Sequence, residues 1–178
     1  MPNEISTLVK RIGLFLIAVA IFFWIYQDPK RDESGAIVES GNINPFDLYV
    51  GDCYAENFAP ADDEPFDVSN VEAVPCSDPH NNEIIAKFDK LENPTAIQED
   101  WFDQAYDQCW LDASYYLEYS EKTPDSELER FNNLYSMNVL YYKYKDTDGL
   151  DPNKNFVCVL VNRDVMTNIS VRNFFISN

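Results

Sequence analysis

Residues Ile12–Tyr26 read IGLFLIAVAIFFWIY, fifteen positions without a charge. No other stretch constrains the chain as strongly. Extended back to Leu8, the run covers about 19 residues, enough for a helix to cross a bilayer core of roughly 30 Å. That requires Lys10 and Arg11 to snorkel to the surface. Trp24 and Tyr26 fall where an interfacial aromatic belt belongs. A cleaved signal peptide is the rival reading, because Ala18-Val19-Ala20 looks like a cleavage motif. Few apolar residues precede that motif, however, and cutting there would leave Ile21–Tyr26 as an apolar new terminus. No cysteine follows the run to carry a lipid. The expected organisation is a cytoplasmic N-terminus at 1–11, a transmembrane signal anchor at 12–26, a juxtamembrane linker at 27–45 and an extracytoplasmic domain at 46–178.

Basic residues flank the run on both sides, Lys10 and Arg11 before it and Lys30 and Arg31 after it. The positive-inside rule counts bases, so it scarcely orients the segment. The cysteines orient it better. Cys53, Cys76, Cys109 and Cys158 are an even set on the C-terminal side, which suits disulfides in an oxidising compartment. The consistent topology is a single-pass protein of the cell membrane, N-terminus inside and domain outside.

Charge separates the two parts further. The chain of 178 residues has a formal net charge of −18. Residues 1–31 carry +2, so the rest carries −20, with 29 acids against nine bases. Such a field repels nucleic acid and anionic headgroups and attracts cationic partners or divalent ions. With 11 Tyr and 12 Phe the chain is too aromatic to be disordered.

Residues 27–45 hold Gly, Ser, Pro and charges without apolar periodicity, hence the linker reading. Past Phe46, Leu48–Tyr54 reads as a short strand bent at Gly51-Asp52, Val71–Val74 as a second and Glu83–Asp89 as a third. Glu56–Asp67 is an acidic, proline-containing loop. A capping-box pattern at Thr95 and Gln98 opens the clearest helix. Its stripe of Ile97, Trp101, Ala105 and Cys109, widened by Phe102, Ala113, Tyr116 and Leu117, faces a sheet. Thr123-Pro124 starts a shorter helix through Phe131. Three strands follow, Tyr135–Tyr144, Phe156–Arg163 and Ile169–Ile176. Turns are expected at Asp148-Gly149 and at Asp151-Pro152-Asn153. Strands, helix, strands without βαβ alternation predicts an α+β fold: a mostly antiparallel sheet packed on one long amphipathic helix and stapled by disulfides.

The segment Val74–Glu83, VPCSDPHNNE, concentrates the reactive residue types. His80 is the only histidine. Cys76, His80 and Glu83 could in principle ligate a metal, and Cys76 with His80 could form a nucleophilic pair. A zinc site wants a further Cys or His ligand, and a nucleophilic cysteine must be a free thiol. Neither is expected, so no metal, cofactor or catalytic set is assigned. Asp78, His80 and Glu83 stay as candidate surface or binding residues, with a hydrogen-bonded turn as the structural alternative. Four cysteines permit three pairings, and the spacing does not choose among them. The pairing favoured is Cys53–Cys76, tying the first strand to the turn after the second, with Cys109–Cys158 pinning the helix to a late strand. Asp62-Asp63-Glu64 and Asp146/Asp148/Asp151 do not fit an EF-hand loop and read as solvated loops. Asn168-Ile169-Ser170 is a glycosylation sequon.

V-G-D-C at Val50–Cys53 followed by V-x-x-V-P-C-S-x-P-H-x-x-E at Val71–Glu83 resembles the septum formation domain of Gram-positive, chiefly actinobacterial, membrane proteins. The likeness continues through A-x-x-x-C at Ala105–Cys109, a late-strand Cys158 and Ser170-Val171-Arg172, spanning about residues 46–175. Asn81-Asn82 after the histidine departs from the family pattern, as does the lack of a G-D-R turn before Cys158. The resemblance implies a membrane-tethered domain linked to cell division and brings no established enzymatic activity with it. Partners would be an envelope or division protein or cell-wall material. The competing expectations are an envelope enzyme using His80 with Asp78 and Glu83, or a sensor binding cations through its acidic face.

Overall fold

A computed structural model describes residues 13–17, 27–55, 70–142, 149–162, 166–172 and 174–175. Of the expected anchor only 13–17 fall among them; these are helical, and Leu14, Phe15, Leu16 and Ile17 are exposed. Among the described residues no helix is long and apolar enough to cross a membrane. The Glu56–Asp67 loop, including Asp62-Asp63-Glu64, lies outside them, as do Asp146 and Asp148.

Among the described residues past Gln27, eight strands and two α-helices make a mixed fold with antiparallel sheets. Strands β1 (Lys30–Arg31) and β2 (Ile37–Glu39) form a hairpin. The six-stranded sheet has the order β3-β5-β4-β6-β8-β7. Its members are β3 (Gly41–Ile43), β4 (Cys53–Ala55), β5 (Val71–Val74), β6 (Asn82–Phe88), β7 (Tyr135–Tyr141) and β8 (Phe156–Asn162). Every pairing is antiparallel.

The sheet separates two cores. Helix α1 (Trp101–Tyr116) lays Ala105, Cys109 and Ala113, with Leu117 just beyond, on one face. Their i, i+4 spacing makes one stripe, and three of the four are small, so the helix can approach closely. Phe156, Cys158 and Leu160 point to this side, Val157 and Val159 to the other, as strand alternation requires. A register irregularity between Ile84 and Ala86 breaks that alternation. Ile85 and Ala86 both join the helix-side core while Ile84 joins the opposite one. Helix α2 (Asp125–Leu134) adds Phe131 to the helix side and runs directly into β7.

The opposite core corrects the linker expectation. Ile37, Leu48, Tyr54, Val71, Ala73, Ile84, Val157 and Val159 form it. Residues 27–45 are therefore folded, and Phe46 is not a boundary. Asp32 closes the β1–β2 turn, its Oδ1 accepting from the Ser34 and Ala36 amides. Gly35 takes the positive φ of 89° that the turn needs. Arg31 donates to both carboxylate oxygens of Asp52 at 2.8 and 2.6 Å and lies 4.1 Å from the centre of the Tyr49 ring. A Cβ on Gly41 would fall on the backbone of Gln27, Asp28 and Pro29, and the Asn42 amide donates to the Gln27 carbonyl. Lys87 Nζ donates to the carbonyls of Phe46 and Leu48, both at 2.6 Å.

Three further expectations change. Strand β4 begins only at Cys53, because the Asp52 amide returns to the Tyr49 carbonyl and Gly51 has φ of 93°. The stretch flagged as a bend is a turn. The Thr95–Gln98 capping box does not form. Gln104 Oε1 accepts from the Thr95 amide instead, and a 3-10 turn at Gln98–Asp100 leads into α1. No strand forms among the described residues of 169–175; Val171, Phe174 and Phe175 pack around α2 and Leu117 instead.

Candidate functional site

The Val74–Glu83 segment is built as a turn that returns the chain into the sheet. Strand β5 ends at Val74, and the Asp78 amide donates to the Pro75 carbonyl at 2.8 Å. His80 then forms an isolated antiparallel bridge with Thr167, through amide–carbonyl bonds of 2.8 and 2.7 Å. Two residues later β6 begins. Pro75 and Pro79 flank the turn, where their fixed φ and missing amide N–H restrict the backbone.

Both favoured disulfides are present, Cys53–Cys76 and Cys109–Cys158, with Cα–Cα distances of 5.2 and 5.6 Å. They occupy different surroundings. Cys109 and Cys158 are both fully buried in the helix-side core. Cys53 is fully buried, but Cys76 is half-buried on the turn.

The three candidate binding residues separate. Asp78 is exposed; among the described residues its carboxylate meets only the Ser77 hydroxyl, at 3.5 Å. Its backbone carbonyl accepts from His80 Nδ1 at 2.9 Å. His80 and Glu83 are 1% and 2% exposed, so they are interior residues and not the surface pair that the sequence analysis anticipates. The reason is topological. The β4–β6 pairing sets Glu83 directly opposite Cys53, inside the sheet.

Glu83 is surrounded by donors. Oε1 accepts from the Tyr116 hydroxyl at 2.5 Å and the Ser170 hydroxyl at 2.6 Å; Oε2 accepts from the Val171 amide at 2.8 Å. One carboxylate thus joins β6, the last turn of α1 and the 166–172 segment. Burial first, and the neighbouring Glu83 charge second, push the Tyr116 phenol far above its ordinary value. Tyr135 is raised for the same two reasons in the same order. Arg172 stands over the Tyr116 ring at 5.7 Å.

Among the described residues one ring nitrogen of His80 has no partner. Nδ1 can only donate to a carbonyl, so in the neutral ring Nε2 is a bare acceptor. No described group bonds that buried Nε2. Ligand atoms of Cys53, His80 and Glu83 all lie within 4.8 Å of one another, and all three residues are buried. The cysteine in this cluster is Cys53, not the sequence-adjacent Cys76 of the metal set considered and set aside above.

Tyr116 and Ser170 are the residues that sequence reading left without a role here. Tyr116 counted as part of the apolar helix stripe, and Ser170 appeared only within the family resemblance. A buried carboxylate needs donors, yet nothing in the spacing names which ones, since they lie 33 and 87 residues away.

A separate open groove of about 470 Å³ lies between β6 and α1, lined by Val50, Lys87, Asp112, Tyr115 and Tyr116 among others. Asp151, the described member of the second acidic cluster, caps its own turn by accepting from the Asn153 amide at 3.0 Å. No protein-family model, curated protein or solved structure matches the chain.

Proposed function

We propose that this chain is a membrane-anchored, extracytoplasmic binding or scaffold domain of the cell envelope, linked to septum formation in dividing cells. One observation carries the non-enzymatic part. The residues that looked most like chemistry, His80 and Glu83, are inaccessible, and Glu83 is engaged by three donors that hold separate elements together. A general base must reach the proton it removes, and a side chain 1% exposed does not reach a bulky envelope substrate.

The outward location rests on two disulfides, which persist in oxidising compartments. The uncharged run Ile12–Tyr26 supplies the anchor. The septal link rests on the P-C-S-x-P-H-x-x-E resemblance at Pro75–Glu83.

Two fusions of the full chain test the reading. A C-terminal reporter that matures only outside the cytoplasm should be active, and an inactive reporter with stable protein sinks the topology. A fluorescent fusion should concentrate at mid-cell during division. Uniform peripheral signal in dividing cells retains the anchor and removes the septal link.

A further inference from the structure

We propose that Cys53, His80 and Glu83 form a zinc-class divalent metal site, closed while Cys53 is bonded to Cys76 and completed when a thiol reductant opens that disulfide. The inference does not depend on the septal reading.

The argument starts with the ligand geometry. Donor atoms of the three side chains lie within 4.8 Å of one another, all buried. Three ligands on one zinc-class ion, with Zn–S of about 2.3 Å and Zn–N and Zn–O of about 2.0–2.2 Å, stand roughly 3.5 Å apart, so the side chains must draw together by about an ångström to share an ion.

Next is the outer shell, which is already in place. A metal-binding histidine characteristically donates its other ring N–H to a carbonyl or carboxylate, and ligating carboxylates are themselves hydrogen-bonded. His80 Nδ1 donates to the Asp78 carbonyl, and Nε2 is left buried without a described partner. Glu83 is fixed by Tyr116, Ser170 and the Val171 amide, while its Oε2 takes a single bond and keeps a lone-pair direction. A histidine needed only to shape a turn has no reason to bury an unpaired acceptor.

Finally, charge creates the demand for a cation. Two equivalents of a thiol supply the electrons. A thiolate attacks Sγ of the half-buried Cys76, the Sγ–Sγ bond breaks, and Cys53 leaves as a thiolate. A second thiolate attacks the reductant's sulfur in the mixed disulfide, Cys76 leaves as a thiolate and takes a proton from solvent, one of the two that the thiols gave up, and the reductant departs as its own disulfide. The Cys53 thiolate now sits near the Glu83 carboxylate, both out of water. A divalent ion neutralises the pair, with His80 Nε2 as third ligand and the fourth position left to water. The Cys109–Cys158 bond lacks every one of these features: both sulfurs are fully buried in an apolar core.

The full chain carrying Cys76→Ser provides Cys53 as a free thiol without any reductant and keeps Cys109–Cys158. Titrated with Co2+, it should bind one ion per chain, with a near-ultraviolet sulfur-to-cobalt charge-transfer band and tetrahedral visible bands. The oxidised wild-type chain should show neither. Adding His80→Ala should weaken binding by more than the ~10–100-fold that losing an outer partner costs. A folded Cys76→Ser chain without the charge-transfer band overturns the proposal, as does binding that His80→Ala leaves unchanged. Should Cys76→Ser not fold, stepwise phosphine reduction of the wild-type chain with Zn2+ present decides. Retention of one Zn2+ by native mass spectrometry once Cys53–Cys76 has opened supports the site. Opening without retention overturns it.

Discussion

At the scale of single residues, Glu83 is the most consequential side chain in the fold. It is a carboxylate 2% exposed, and its burial is tolerable only because donors surround it. Tyr116→Phe removes one donor and keeps the ring, so it should destabilise the domain by about 1–3 kcal/mol in denaturant unfolding at neutral pH. The same phenol creates an alkaline dependence. Its folded pKa is raised above the ordinary 10.0, so the proton is held more tightly folded than unfolded. Its contribution is complete below pH 10 and is lost as pH rises beyond it. Unfolding curves at pH 9 and pH 11 should converge between wild type and Tyr116→Phe; a constant difference counts against this assignment. Arg31 belongs at this scale too. Its bidentate pair with Asp52 leaves 18% and 7% of the two side chains exposed. Arg31→Met should therefore cost ~2–3 kcal/mol, less than the ~3–5 kcal/mol for breaking a wholly buried pair. Thermal melts of the two variants measure both effects.

At the scale of elements, legibility followed length. Val71–Val74 has the same bounds in sequence and structure, and Phe156–Asn162 covers every described residue of the expected Phe156–Arg163. Both are apolar runs bounded by breakers, and β8 is buried on both faces, so pattern and packing agree. The α1 stripe was readable because sixteen residues sample more than four helical turns. Strands of two and three residues, such as β1, β2 and β3, are too short to display a period. Segment 27–45 therefore read as linker although Ile37 closes a core. The stretch near Ser170 failed for a different reason: its amide and hydroxyl serve Glu83, a long-range demand that outweighs local β propensity. The site was legible as residue types and not as an arrangement. His80 and Glu83 stood out by sequence, but only the β4–β6 register puts Cys53 beside Glu83. Two element-level tests follow. Gly41→Ala should cost ~1–3 kcal/mol by forcing backbone apart, and limited proteolysis should then cut within 27–45. Replacing Cys109 and Cys158 together by Ala should cost more than replacing Cys53 and Cys76. Loop closure over 49 residues contributes about 4 kcal/mol against about 3.4 for 23. Paired thermal melts give the order, and the reverse order would contradict it.

At the scale of the molecule, one charge sign dominates: −20 beyond residue 31. Among the described residues the ion pairs are local, Lys30–Glu39, Arg31–Asp52 and Arg130–Glu127. They leave the long-range self-repulsion of the acids in place. That repulsion is screened over about 10 Å at 0.1 M salt and about 3 Å at 1 M. The melting midpoint should therefore rise between 10 mM and 500 mM NaCl; a flat or falling midpoint means the acids are already neutralised by bound cations.

The contact between Gly41 and the Gln27–Pro29 backbone bears on how the molecule searches for partners. A disordered 19-residue tether would let a domain wander over roughly 24 Å from its exit point. Here the chain is gripped from Gln27 onward, the first residue after the apolar run. Under the anchor proposed above, with that run in a bilayer, the domain would have no slack. It would not cast outward for a distant target. Encounters would be confined to a thin layer next to the membrane, where a partner on the same surface would meet it at a far higher effective concentration than one diffusing freely.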